Sequence, residues 1–223
     1  MKIQIRLSDK IKQACPGFQA GIISADVINS EFNPLLWNEI EKECSLLKQQ
    51  LTIEQINSRP NIRATRTAYK KTGKDPNRYR PSAEALTRRI IRDMDLYRIN
   101  TLVDLINLVS LRSGYSIGGF DAEKISGNEL VLGIGEAGEV FHGIGRGILN
   151  IEGLPVYSDA EGGIGTPTSD EERTKITLGT KKILVIINSY GTHDDLSDTV
   201  TYTENLLQEF ALATNFERQF IKD

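Results

Sequence analysis

The most apolar candidate helix in the chain is followed by a glycine-rich segment, and together they span residues 98–121. Apolar side chains recur on almost every side of this helix, at Leu102, Val103, Leu105, Ile106, Leu108, Val109 and Leu111. This pattern is typical of a helix that is buried nearly all round. Thr101 and Asp104 fit a capping box, and Gly114 supplies a C-terminal stop. We therefore predict a central helix followed by a glycine turn at residues 118–120.

Three polar residues interrupt this apolar surface. Asp104, Asn107 and Ser110 recur at intervals of three, which places them on one narrow stripe of the helix. An unpaired buried polar group costs roughly 1–3 kcal/mol. We therefore expect the Asn107 amide to be satisfied by neighbouring backbone, an ordered water or a ligand.

The remaining patterns alternate between strands and helices. Strands are predicted near residues 3–7, 18–28, 129–134, 139–141, 148–151, 154–157 and 182–188, the last as a central strand buried on both faces. Helices are predicted over residues 34–50, 62–72, 81–92 and 197–216. Residues 158–172 lack periodicity, which makes them a candidate functional loop. We expect one α+β domain over residues 1–223, with a mixed or antiparallel sheet and packed helices.

Charge is unevenly distributed along the chain. Its net charge is −3, yet residues 59–92 hold eleven Lys or Arg against two acids, which leaves −12 elsewhere. Such a segment is typical of a solvated helical face or of a phosphate-binding surface, and both interpretations stay open.

Composition excludes some other classes. There is no apolar run long enough for a membrane span and no apolar signal segment near the N-terminus, so we expect a cytoplasmic protein without membrane contact. Cys15, Cys44, His142 and His193 form no metal-ligand spacing, and we expect neither a metal nor a cofactor.

Two short motifs point to other chemistry. Residues 133–138 match the glycine fingerprint of dinucleotide sites, but the helix that should follow is not predicted. Residues 114–118 match a nucleophile elbow, with Asp159 or Asp170 and then His193 following in hydrolase order. A serine hydrolase that uses Ser116 is therefore an alternative, although a helix rather than a strand precedes the Ser.

Three blocks in order, at residues 80–89, 98–121 and 154–177, resemble the B3/4 domain of the phenylalanyl-tRNA synthetase β subunit, and above all free-standing B3/4 proteins. The resemblance covers about residues 56–190, with the N-terminal strand and helix and the C-terminal helix packed on that core. In the synthetase this domain hydrolyses tRNA wrongly charged with tyrosine. The resemblance thus implies a B3/4 fold, tRNA as a partner and a pocket for an amino-acid-sized ligand.

This chain has only some of the residues that form the editing pocket of the family it resembles. The resemblance implies substrate contacts by Asn107, Gly118, Gly119, Phe120, Gly163, Thr166, Thr168, Ser169 and Asp170. Of these, Asn107 aligns with the Asn of the editing pocket. Gly118 replaces the pocket His and Thr168 the pocket Glu, with Ser169 and Asp170 as near alternatives, so the catalytic residues stay unassigned. For tRNA contacts we expect the cations Arg66, Lys70, Arg78, Arg80, Arg88 and Arg89.

Two functions follow from the resemblance. The resemblance implies either that the protein binds aminoacyl-tRNA and hydrolyses mischarged aminoacyl-tRNA in trans, or that it is a non-catalytic module that binds an amino acid or tRNA. An aminoacyl-tRNA synthetase is a further possible partner. The sequence does not rank the two functions.

Overall fold

The computed structural model describes residues 3–191 and 195–222. In this part of the chain the strands are β1 (Gln4–Leu7), β2 (Gln19–Asp26), β3 (Ile117–Asp121), β4 (Glu129–Ile134), β5 (His142–Gly143), β6 (Gly147–Ile148), β7 (Pro155–Ser158), β8 (Gly163–Gly165), β9 (Lys182–Ser189) and β10 (Thr214–Lys222). The α-helices are α1 (Asp9–Ala14), α2 (Pro34–Gln50), α3 (Pro60–Lys71), α4 (Ser82–Ile91), α5 (Thr101–Ser113) and α6 (Leu196–Ala211). Short 3₁₀ helices lie at Ile56–Ser58 and Ala122–Lys124. Among these elements no helix is both long and apolar enough to cross a membrane.

Two four-stranded sheets form the framework. One has the strand order β10-β2-β9-β3 with antiparallel neighbours. The other has the order β1-β4-β7-β8, in which β1 and β4 are parallel and the later pairs antiparallel. The predicted α+β class with a mixed or antiparallel sheet is therefore confirmed.

Strand β9 lies between the two hydrophobic cores. Ile183, Val185 and Ile187 point into the core that contains α2, α5 and α6. Leu184 and Ile186 belong to the core against the second sheet. Because both faces are buried, the strand needs an unbroken apolar run, and the predicted central strand is confirmed.

Helix α5 is the buried central helix that the sequence predicts. It ends at Gly114, whose φ of 78° suits a residue without a side chain. The predicted capping box is wrong, since Asn100 caps the N-terminus and Thr101 is already helical. Asp104 instead accepts a hydrogen bond from Trp37 Nε1 at 2.7 Å, which fixes α2 against α5.

The predicted glycine turn at residues 118–120 is also wrong, because this segment belongs to β3 at the edge of the first sheet. A Cβ atom on Gly119 would collide with Ile106 Cδ1 of α5. At Gly118 it would lie 2.7 Å from Phe120 Cζ. The glycines therefore allow α5 and the Phe120 ring to approach the strand closely.

Other differences lie near the hairpin and the C-terminus. The strands expected at residues 139–141 and 148–151 are replaced by the short β5-β6 hairpin. The loop predicted at residues 158–172 contains β8. The final helix ends at Ala211 rather than residue 216, because Leu212 adopts a φ of 49° and the chain returns as β10 along β2.

Candidate functional site

A cavity of about 400 Å³ opens between α5, β3, the start of α4 and the loop of residues 166–176. Its aliphatic lining comes from Leu86, Ile99, Val103, Ile106, Ile117, Ile144 and Ile176. Its polar lining comes from Ser82, Asn107, Ser110, Thr166, Ser169, Asp170 and Lys175, and Gly119 completes the wall. This volume and mixed lining suit an amino-acid-sized group.

A tight turn holds the polar wall of the cavity. Thr166 Oγ1 accepts hydrogen bonds from Thr168 N at 3.2 Å and Ser169 N at 3.1 Å. Thr166 N donates to Ser169 O at 2.9 Å, and Ile144 N donates to Asp170 O at 3.1 Å. These bonds fix the position of Asp170 before any ligand binds.

The Asp170 carboxyl occupies a niche between β3, β8 and the Phe120 ring. Its Oδ2 accepts a hydrogen bond from Gly119 N at 3.1 Å, whereas Oδ1 has no hydrogen bond to residues 3–191 or 195–222. A Cβ atom on Gly165 would lie 2.9 Å from Oδ1, so the missing side chain there makes room for the carboxyl. Burial raises the pKa of Asp170 to about 7, partly opposed by the Gly119 N–H. The group therefore exchanges protons near neutral pH.

Asn107 lies where the polar stripe of α5 meets the cavity. The other two members of the stripe are satisfied within the protein: Asp104 by Trp37, and Ser110 by donating to Tyr115 O at 2.7 Å. The Asn107 side chain is half-buried and makes no hydrogen bond within the described part of the chain. Its amide is free to donate to and accept from a ligand.

An arginine-lined groove of about 420 Å³ adjoins the cavity. Its cations are Arg80, Arg88, Arg89, Arg92 and Arg146, and no acidic side chain is among the described residues that line it. The cavity and the groove share Ser82, Leu86 and Asn107. Guanidinium groups match the geometry of phosphate oxygens, so the groove suits a phosphate-bearing ligand.

One carboxylate beneath the groove neutralises part of this charge. Glu84 is fully buried and accepts hydrogen bonds from three arginines, namely Arg66 at 2.7 Å, Arg80 at 3.2 Å and Arg88 at 2.8 Å. These contacts hold α3 and α4 together. Arg92 and Arg146, by contrast, are exposed and have no ion pair within residues 3–191 and 195–222.

The substrate-contact residues expected from the sequence fall into two groups. Those that line the cavity are Asn107, Gly119, Thr166, Ser169 and Asp170, and those that do not are Gly118, Phe120, Gly163 and Thr168. Phe120 is fully buried beneath the niche, and Gly163 packs against Phe141. Thr168, at the expected Glu position, hydrogen-bonds Tyr69 Oη at 2.8 Å and lines the groove. Asp170 is thus the acidic residue that this loop presents to the cavity.

The cations expected to contact tRNA are also divided. Arg80, Arg88 and Arg89 line the groove, Arg66 is bound to Glu84, and Lys70 and Arg78 are exposed elsewhere. The sequence reasoning missed Arg92, Arg146 and Lys175. Arg92 could have been predicted, because it lies about one helical turn after Arg88 and Arg89. Arg146 could not, because it is an isolated arginine in a glycine-rich hairpin.

The described residues form neither of the two sites that the short motifs suggest, which are a serine-hydrolase site at Ser116 and a dinucleotide site at residues 133–138. Ser116 is buried between α5 and β3, lines neither the cavity nor the groove, and its Oγ has no hydrogen-bond partner in that part of the chain. Asp159 is ion-paired with Arg173 at 2.9 Å, and His193 lies outside the described residues. After the glycines at 133–138 the chain enters β5, where a dinucleotide site needs a helix.

This α+β domain therefore carries an amino-acid-sized cavity and an adjoining cationic groove. Residues 64–196 match the sequence model of the B3/4 domain, and the chain belongs to that family. No curated protein matches the chain.

The fold is shared with solved structures. One of them is the crystal structure of an N-terminal fragment of the phenylalanyl-tRNA synthetase β-subunit from Pyrococcus horikoshii, with a TM-score of 0.50 and 14% sequence identity. The alignment covers 100% of this chain and 55% of that one, so this chain spans about half the length of the fragment. At this identity the likeness extends to the fold alone.

Proposed function

We propose that this protein binds the aminoacyl end of aminoacyl-tRNA and hydrolyses the ester of mischarged aminoacyl-tRNA in trans. The observation that carries the proposal is the shared boundary of the cavity and the arginine groove at Ser82, Leu86 and Asn107. Membership of the B3/4 family and the shared fold with a phenylalanyl-tRNA synthetase fragment support tRNA as the partner.

The two subsites match the two chemical parts of such a substrate. An aminoacyl-tRNA carries its amino acid as an ester on the terminal ribose, with phosphodiesters next to that nucleotide. In the proposed complex the cavity holds the amino acid and the groove arginines neutralise the phosphates. Asn107 then lies near the ester, where its amide can bind the carbonyl or the amino group.

The amino acid removed need not be tyrosine. The resemblance puts Gly118 and Thr168 at the places of the His and Glu of the tyrosine-editing pocket, and neither residue lines the cavity. Aliphatic side chains such as Ile106, Ile117 and Ile176 dominate the apolar wall instead. This lining favours an apolar amino acid of moderate size.

The same replacements favour a second candidate function. A protein without the pocket His and Glu is also suited to hold an aminoacyl-tRNA without cleaving it, alone or beside an aminoacyl-tRNA synthetase. The two functions use the same surfaces and differ in whether the ester is cleaved.

The deciding experiment measures binding and hydrolysis on one panel of correctly and wrongly charged tRNAs. The proposal expects cleavage of at least one mischarged tRNA faster than its spontaneous deacylation. Each uncharged tRNA is the matched control for the groove, because it offers the phosphates without the amino acid. Tight binding of charged tRNA without cleavage would establish the second function, and equal, weak binding of every RNA would refute both.

A further inference from the structure

Resting on the deacylase function proposed above, we propose that Asp170 is a catalytic residue, whose carboxylate takes the proton from the water that attacks the aminoacyl ester.

The geometry leaves one carboxylate oxygen available for this role. Gly119 N holds Oδ2 at 3.1 Å, and the turn built on Thr166 fixes the backbone, while Oδ1 has no hydrogen bond within the described part of the chain. Oδ1 is also not among the described unpaired polar atoms that are fully enclosed, which are Ser116 Oγ, Thr174 Oγ1 and Tyr190 Oη. Oδ1 therefore keeps some solvent-accessible surface on a residue that lines the cavity, and we assign the attacking water to that surface.

Chemistry singles out Asp170 among the described residues that line the cavity. The other polar side chains are hydroxyls, the Asn107 amide and the Lys175 ammonium, which is ion-paired with Glu172. Hydroxyl and amide groups do not accept a proton at neutral pH, and a protonated amine has no free pair. The Asp170 carboxylate can accept one.

Each bond and proton of the proposed reaction is accounted for. The water oxygen bonds to the ester carbonyl carbon while one of its protons passes to Asp170 Oδ1. The bond between that carbon and the ribose oxygen then breaks, and the ribose oxygen takes the proton from Asp170. The products are the free amino acid and tRNA with a free terminal hydroxyl, and Asp170 is a carboxylate again. The Asn107 N–H is a donor for the negative oxygen of the intermediate.

The charged groups around Asp170 come from three segments. They are Glu171, Glu172, Arg173 and Lys175 on its own loop, His142 and Arg146 on the β5-β6 hairpin, and Arg80, Arg88, Arg89 and Arg92 of the adjoining groove. The parts of α5 and β3 that line the cavity are uncharged. Because burial raises the pKa of Asp170 to about 7, its basic form predominates above that pH. The enzymatic rate should therefore rise with pH through about 7 and then level off.

The test compares wild type, Asp170→Asn and the control His142→Asn, which removes an ionisable side chain of the neighbouring hairpin that lines neither the cavity nor the groove. Deacylation of the best substrate of the panel is followed from acid to alkaline pH, after subtraction of spontaneous deacylation. Binding is measured with a tRNA whose amino acid is linked by a non-hydrolysable amide. We expect Asp170→Asn to lose about 100-fold or more in rate and the rise near pH 7, while it binds the analogue like wild type. His142→Asn should keep the rate and its pH profile.

Other outcomes overturn the proposal in distinguishable ways. Wild-type rate and profile in Asp170→Asn would show that another group is the base. Equal losses of rate and analogue binding would show that Asp170 holds the amino acid instead. A wild-type protein that binds the analogue but cleaves nothing would refute both the base and the deacylase function, and one that does not bind it would refute the tRNA function itself.

Discussion

Replacement of Glu84 by Gln tests whether the arginine cluster behind the groove is a buried ionic unit. The Glu84 side chain is 1% exposed, and those of Arg66 and Arg88 are 13% and 15% exposed. Glutamine keeps the size of the side chain but removes the charge that offsets three guanidinium groups. Arg66 and Arg88 would then be partly buried without their shared counter-ion.

The size of the effect follows from this burial. Removing one partner of a buried ion pair costs roughly 3–5 kcal/mol, whereas an exposed pair contributes about 0–1 kcal/mol. Arg80, at 41% exposed, is nearer the second case and adds little. We therefore expect the free energy of unfolding to fall by about 3–5 kcal/mol. For a chain of 223 residues this lowers Tm by roughly 6–20 °C.

Urea and thermal unfolding at neutral pH, followed by circular dichroism, measure this change. Glu123→Gln is the matched control, because Glu123 is exposed and has no ion pair in the described part of the chain. Its unfolding free energy should change by less than about 0.5 kcal/mol. If Glu84→Gln is destabilised no more than this control, the cluster behaves as a solvated pair and the reasoning from burial is wrong.

Three further variants test the cavity and the groove. The stability of Asp170→Asn relative to wild type should increase as the pH rises from about 4 to about 8. The reason is that the pKa of Asp170 is about 7 in the folded protein but about 3.9 in the unfolded chain, so ionisation of Asp170 destabilises only the wild-type protein over this range. Urea unfolding of both proteins measures this, and a difference independent of pH would contradict the burial of the carboxyl. Asn107→Leu should weaken binding of charged tRNA by about 5- to 150-fold at nearly unchanged Tm, whereas a lower Tm with unchanged affinity per folded molecule would mark a structural Asn. Arg92→Glu together with Arg146→Glu should weaken tRNA binding and reduce its salt slope by about 2 units, with Arg78→Glu outside the groove as the control. Equal effects of the double variant and the control would place the phosphates elsewhere.

The amino-acid sequence by itself determined the elements that depend on local interactions. Helix α2 begins at Pro34 because Asn33 caps it, and α5 ends at Gly114 because a left-handed residue stops a helix there. Helix α5 and strand β9 were both predicted because apolar residues occur on every side of them, and this pattern indicates an element that is buried all round. Asn107 was also identifiable, since a polar residue on a buried helix needs a partner.

The tertiary structure decided what depends on residues far apart in the chain. β3 forms because β9 pairs with it, although its glycines read locally as a turn. The distance from Glu84 decides whether an arginine is ion-paired. Arg146 lies on a hairpin more than fifty residues after Arg92, yet both line the groove. The pKa of Asp170 likewise depends on burial against Phe120 and a single backbone donor. Burial and electrostatic partners are properties of the packed chain, so local periodicity cannot contain them.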